Sequence, residues 1–128
     1  MHRSLAFLYF VILALVSALN YIPGVKQPDG TLFGIFALDI YDDALHLGSA
    51  LWALVAALMS TRASRIYLVL FGAAYLGDGL LGLATGSGYL DPGIFTHGIQ
   101  DQPFLFRIEA NTPHVLLGGV AFFAGLRR

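Results

Sequence analysis

Four apolar runs, with nearly all the charged residues outside them, decide what this chain can become. The runs cover residues 5–19, 44–59, 66–85 and 115–126. Asn20, Pro23 and Gly24 end the first, Ser60-Thr61-Arg62 the second and Gly86-Ser87-Gly88 the third, and Arg127-Arg128 close the fourth. A water-soluble domain is charged at about a quarter of its positions. Here only 12% of residues are charged and 57% are hydrophobic, with a mean hydropathy of +0.73. In lipid every backbone polar group must find its partner within the chain, so apolar runs of this length read as membrane helices.

The sequence therefore predicts an all-α integral membrane four-helix bundle. It reads as one transmembrane domain over residues 1–128, with spans at about 4–20, 42–60, 66–85 and 112–126. A span takes about 20 residues, so the second and fourth runs are short unless they extend backwards. Residues 31–43 and 103–112 either supply the missing turns or lie at the interface as short helices. Asn111 and Thr112 ahead of Pro113 read as a helix N-cap with proline in the first turn.

Arg3, Arg62, Arg65, Arg127 and Arg128 fall on one side of this topology. The other side holds Lys26 and Arg107 against Asp29, Asp39, Asp42, Asp43, Asp91, Asp101 and Glu109. The positive-inside rule then places both termini in the cytoplasm, as for a bacterial inner-membrane protein, with two long outer loops. Tyr21, Tyr41, Tyr67 and Tyr89 read as interfacial belt residues. His2-Arg3, the apolar core and Val16-Ser17-Ala18 have the form of a signal peptide; we expect the segment to be retained as the first span. A net charge of −1 gives no footing for nucleic acid, and the absence of cysteine excludes disulfides, thiolate metal sites and thiol catalysis.

Ionisable groups inside spans are expensive and are functional candidates by default. His46 lies sixteen residues before Arg62, Asp78 thirteen after Arg65, and His114 thirteen before Arg127. At 1.5 Å per residue the three share a level roughly 20 to 24 Å from the cytoplasmic boundary. Helical steps from His46 reach Ser49, Ala50, Ala53, Ala56 and Ala57, and steps from His114 reach Gly118, Ala121 and Gly125. Gly72, Gly79, Gly82 and Gly86 form a similar stripe, with Tyr75 and Asp78 beside it. Small residues at these intervals mark faces where membrane helices pack closely, so both histidines are expected to point into the bundle.

Several chemistries fit that polar layer. The structural one is helix-to-helix hydrogen bonding: His46 with Asp42 or Asp43, His114 with Asn111, or Asp78 with either histidine. A second is a divalent metal, zinc or iron, on His46, His114, Asp78, Asp43 and Asp42, with Asn111, Glu109 and Asp39 behind them. A third is a haem held by both histidines, disfavoured by the acidic neighbours. A proton relay finds no polar continuation on the cytoplasmic side. A metal-activated water would make the chain a membrane hydrolase, although no compact ligand motif or catalytic triad order is present. The reading that leads is a non-enzymatic accessory subunit or homo-oligomer in contact with membrane lipid, alone or in a larger membrane complex. Pro28-Asp29-Gly30 and Asp91-Pro92-Gly93 are turn signals. His97 reads as solvated in the outer loop, and Trp52 as packing in mid-span.

Aligning His46 with His114 matches Ile40 with Ile108, Phe36 with Phe104 and Asp43 with Asn111. Each half is then a span, an outer loop and a histidine-bearing span, a parallel two-helix repeat. Three stretches carry a resemblance: Asn20-Tyr21-Ile22-Pro23-Gly24-Val25, Gly30-Thr31-Leu32-Phe33-Gly34-Ile35-Phe36, and Leu45-His46-Leu47. With Asn111-Thr112-Pro113-His114 they resemble an uncharacterised bacterial family of four-span membrane proteins, domain of unknown function 4383. The resemblance covers most of the chain and implies the four-span fold. It implies no activity. Where that family commonly has His-Asn ahead of its first histidine, this chain has Asp42-Asp43.

Overall fold

A computed structural model describes residues 1–19, 40–90, 93–96 and 98–127, together with positions 22 and 28. The side chains of residues 40–42, 93 and 96 are outside the described set. The described residues form an all-α bundle of four long helices and one short one: α1 (His2–Leu19), α2 (Ile40–Met59), α3 (Thr61–Thr85), α4 (Gly93–Thr96) and α5 (Phe104–Leu126). The long helices are about 27 to 38 Å in length at 1.5 Å per residue. Two of them, α1 and α3, are long and apolar enough to cross a membrane, with mean hydropathies of 1.8 and 1.7.

Two helices begin well before their apolar runs. The apolar run of α3 starts at Ile66, yet the helix starts at Thr61, because Ser60 caps it: the Ser60 hydroxyl accepts the Ala63 N–H at 3.0 Å. The larger difference is in α5, where the N-cap expected at Asn111-Thr112 does not form. The helix starts at Phe104 and runs through Pro113. Proline cannot donate to the carbonyl four residues back, here that of Glu109. Asn111 and Thr112 both bond to the carbonyls just before it: Asn111 Nδ2 donates to Arg107 at 2.8 Å, and the Thr112 hydroxyl donates to Ile108. Side-chain bonds of this kind keep a helix continuous through a proline. Residues 104–112 are therefore the first turns of α5 itself and not a separate short helix. In the second, α2 reaches back to Ile40, while residues 31–39 lie outside the described set.

The chain divides into two compact units, Met1–Tyr67 and Leu68–Arg128. In the first, α1 packs on α2. The pair buries large residues from α1 (Tyr9 and Leu13) and small ones from α2 (Ala50, Ala53, Ala56 and Ala57). The connection from α2 to α3 is Ser60 alone. The Ser64 hydroxyl, fully buried, donates to the Ala56 and Ser60 carbonyls at 3.0 and 2.9 Å and closes the corner. Arg3 reaches the last turn of α2, where its Nε donates to the Ala57 carbonyl at 2.8 Å. Tyr67 is not the interfacial residue expected. It is fully buried, edge-on to Trp52 with ring centroids 4.8 Å apart, and Trp52 is 42% exposed.

In the second unit α3 and α5 run antiparallel at very short range. A Cβ on Gly72 would strike the backbone of Phe122, and one on Gly118 would strike the backbone of Leu76. Gly79 faces Val115, Gly82 faces the Asn111 side chain, and Gly125 faces Val69. Hydrogen alone at these positions lets the two backbones meet, the close-packing mode of membrane helices.

Candidate functional site

The second unit holds an ion-pair geometry between two residues of the expected polar layer. Asp78, on the inner face of α3, is 4% exposed. Its Oδ2 lies 2.6 Å from Nδ1 of His114 on α5. The His114 ring also lies 5.0 Å, centroid to centroid, from the ring of Tyr75, one turn before Asp78. Phe71 also stacks on that tyrosine, with ring centroids 4.0 Å apart.

The other oxygen of Asp78 serves a segment that the sequence had marked only as a loop. After Thr85 the chain does not continue away from α3 but folds back beside it. Gly86 adopts a φ of 82°, the left-handed conformation that glycine takes without strain. The Thr85 hydroxyl accepts the Ser87 N–H at 3.2 Å. Two residues further on, the backbone N–H groups of Tyr89 and Leu90 both donate to Asp78 Oδ1 at 2.8 Å. The Tyr89 hydroxyl reaches still further back along α3 and donates to the Ala74 carbonyl. Glycines stand where the returning segment touches α3. A Cβ on Gly88 would collide with the Asp78 carboxylate, and one on Gly77 would come 2.8 Å from the Tyr89 hydroxyl oxygen. Partial burial pushes the Tyr89 phenol above its ordinary range, and the charge of Asp78 adds to that shift.

The far end of the unit is tied by Arg107. Its guanidinium donates to the Ala84 carbonyl at 3.4 Å and to the Gln100 carbonyl at 3.2 Å. The Gln100 N–H in turn donates to Thr85 at 2.8 Å, which fastens the loop before α5 to the end of α3. Asp78 thus accepts from three donors, two on the returning segment and one on α5, and links three pieces of chain at one point.

The remaining expected ligands are distributed as follows. His46 and Asp43 stand one turn apart on α2 in the first unit, and both are 6% exposed. Asp42 belongs to α2, with its side chain outside the described set, and Asp39 and His97 are outside it altogether. Glu109 is on the exposed face of α5. The Asn111 amide bonds to Arg107 of its own helix rather than to the histidine three residues on. Ala53 is fully buried on α2, and Gly72, Gly79, Gly82, Gly118 and Gly125 lie at the α3–α5 contact. Among the described residues, no group of three or more His, Asp or Glu side chains is placed to hold a metal ion.

The residues missed by sequence reasoning are Tyr89, Gly77, Gly88 and Arg107. Gly88 and Tyr89 directly follow the Gly86-Ser87 turn signal, but nothing in a single sequence tells which carboxylate a loop N–H will meet.

No curated protein and no solved structure matches the chain. A family model described as Domain of unknown function (DUF4383) matches residues 3–126, nearly its full length, and the chain belongs to that family.

Proposed function

We propose that the protein is a small, non-enzymatic integral membrane protein, an accessory or self-associating subunit. Its intramembrane polar residues hold the bundle and an outer loop together. The observation that carries this reading is the engagement of Asp78: both oxygens are taken by protein donors, two backbone N–H groups and one imidazole. In a bilayer the backbone of a non-helical segment needs acceptors that water does not provide, and Asp78 provides one for the segment folded back on α3.

The membrane assignment draws on how side-chain size is distributed in each unit. Alanine, glycine and aromatic residues predominate inside, with Leu13 and Leu68, whereas Leu15, Leu51, Val55, Leu70, Leu116 and Phe123 are more than half exposed. That many large apolar side chains on the outside is unlike a water-soluble surface, where patches of this kind are limited. The arginine distribution orients both termini to the cytoplasm.

A second reading keeps a metal, zinc or iron, because one feature of the pair favours it. An Nδ1–H donated to a carboxylate fixes the imidazole in the tautomer whose Nε2 carries the lone pair, the arrangement that supports histidine ligands in metal centres.

Fractionation, metal analysis and visible absorption on detergent-purified protein separate these readings. The proposal expects the chain to stay with membranes through an alkaline wash, and to lack stoichiometric metal or a haem band. Stoichiometric metal that disappears in His114→Ala or His46→Ala would replace it with the metal reading. Release by the wash would remove the membrane assignment.

A further inference from the structure

The chain between α3 and α5 leaves the end of one helix, descends beside it and climbs back. Hydrogen bonds fix the path. The N–H groups of Tyr89 and Leu90 meet Asp78, seven residues before Thr85, and the Tyr89 hydroxyl meets the Ala74 carbonyl, eleven residues before it. At 1.5 Å per residue those levels are about 10 and 16 Å below the end of α3. The start of α4 is tied to the lower part of this path: the Ile94 N–H donates at 2.8 Å to the carbonyl of Gly88, and a Cβ on Gly88 would strike the Asp78 carboxylate. Phe95 follows directly. The return is complete at Gln100, whose N–H reaches the Thr85 carbonyl at 2.8 Å.

Two features of this stretch fit hydrocarbon better than water. The first is its backbone. Besides Tyr89 and Leu90, the N–H of Gly86 is taken by the Gly82 carbonyl, that of Ser87 by the Thr85 hydroxyl and that of Gly98 by the Ile94 carbonyl. A loop in water has solvent for such donors, whereas a segment in lipid needs them satisfied within the protein. The second is its outward side chains. Phe95 is 82% and Ile99 78% exposed, so the fold gives neither an apolar cover. Leu80 on α3, five residues before Thr85, is 53% exposed at a comparable level. Thr85 itself lies twenty residues beyond Arg65, about 30 Å along the helix, which is the thickness of a hydrocarbon core. A chain that dips back from Thr85 therefore dips into acyl chains.

We propose that the described part of this connection, from Gly86 to Gln100, is a re-entrant loop of the outer leaflet, with Phe95 seated among acyl chains and Ile99 nearer the headgroups. This rests on the membrane reading above. The chain contains no cysteine, so a spin label can be attached at a single introduced one. Phe95→Cys, Ile99→Cys, Leu80→Cys and Asp101→Cys are each labelled in the full chain in phosphatidylcholine vesicles. All four positions are exposed, so the label displaces no packing. Collision with oxygen, which concentrates in hydrocarbon, is compared with collision with a water-soluble nickel chelate. Position 95 is expected to favour oxygen as position 80 does, position 99 to be intermediate, and position 101 to favour the chelate.

Position 95 decides the matter. A preference for the chelate there, equal to that at position 101, would place the loop in water and overturn the proposal. Protection from both reagents would overturn it too, since a second copy or another protein would then be covering the loop. Position 80 keeps the two levels apart. Oxygen preferred at 80 but not at 95 sinks only the re-entrant loop, whereas the chelate preferred at 80 sinks the membrane reading beneath it. Phe95→Trp in a Trp52→Phe background gives an independent reading without a label: quenching by brominated acyl chains is expected, and its absence would contradict the proposal.

Discussion

Asp78 is the residue on which the second unit closes, because it is the acceptor for two backbone N–H groups and one imidazole N–H. Each buried donor left without a partner costs about 1–3 kcal/mol. Asp78→Ala is therefore expected to destabilise the protein by about 3 kcal/mol or more, measured by denaturation in detergent, and Asp78→Asn by less, since an amide oxygen still serves Tyr89 and Leu90. Gly88→Ala presses a methyl group onto the same carboxylate and is expected to loosen the loop, read as faster hydrogen exchange at Tyr89 and Leu90. A stability unchanged by either Asp78 variant would mean that these bonds are not what holds the segment. Asp78 as the partner of a histidine was legible in the sequence, because a carboxylate amid apolar residues demands a donor. Which histidine it meets was not, since both lie at the same height along their helices. The two loop N–H groups were not legible either, because every residue but proline has one.

At the scale of helices, apolar runs and small-residue spacing were sufficient to place α1, α2, α3 and the later part of α5. They were not sufficient at Pro113, where an N-terminal signal competes with a continuing helix. The local pattern of Asn111, Thr112 and Pro113 fits both, and the outcome rests on side-chain bonds to Arg107 and Ile108. Pro113→Ala discriminates the two. A proline in a first turn costs nothing and its removal would leave stability unchanged. In the helix interior the substitution restores a donor for Glu109 and is expected to stabilise by about 1–3 kcal/mol in thermal unfolding. The α3–α5 contact makes a paired prediction. Gly72→Ala and Gly118→Ala each force a methyl group against backbone that cannot yield, whereas nothing lies within 4 Å of a Cβ at Gly119. The first two are expected to lower stability by about 2 kcal/mol or more. Gly119→Ala, gaining helix propensity, is expected to be neutral or stabilising by up to about 1 kcal/mol. Equal effects at all three positions would deny the close approach.

For the whole molecule, the proposal that lipid is the surrounding medium can be tested by one residue. Trp52, the single tryptophan, reports on this directly, because it is 42% exposed on α2. In reconstituted vesicles its fluorescence is expected to be quenched by brominated acyl chains and spared by aqueous iodide; the reverse would place α2 in water. The two units of the chain each contain a helix with a histidine on its buried side, His46 on α2 and His114 on α5. The division at residue 67 falls near the midpoint that the proposed duplication requires. Only the second unit sets an aspartate on the facing helix, so the two halves are not chemically equivalent. The account rests on Asp78 and His114 acting together as a structural lock. A double-mutant cycle tests that most directly: unfolding free energies of wild type, Asp78→Ala, His114→Ala and the double variant in one detergent, with metal content determined for each. The account predicts metal-free protein throughout and a coupling of about 1–3 kcal/mol between the two residues. Additive losses, or a coupling present only in metal-loaded protein, would contradict it.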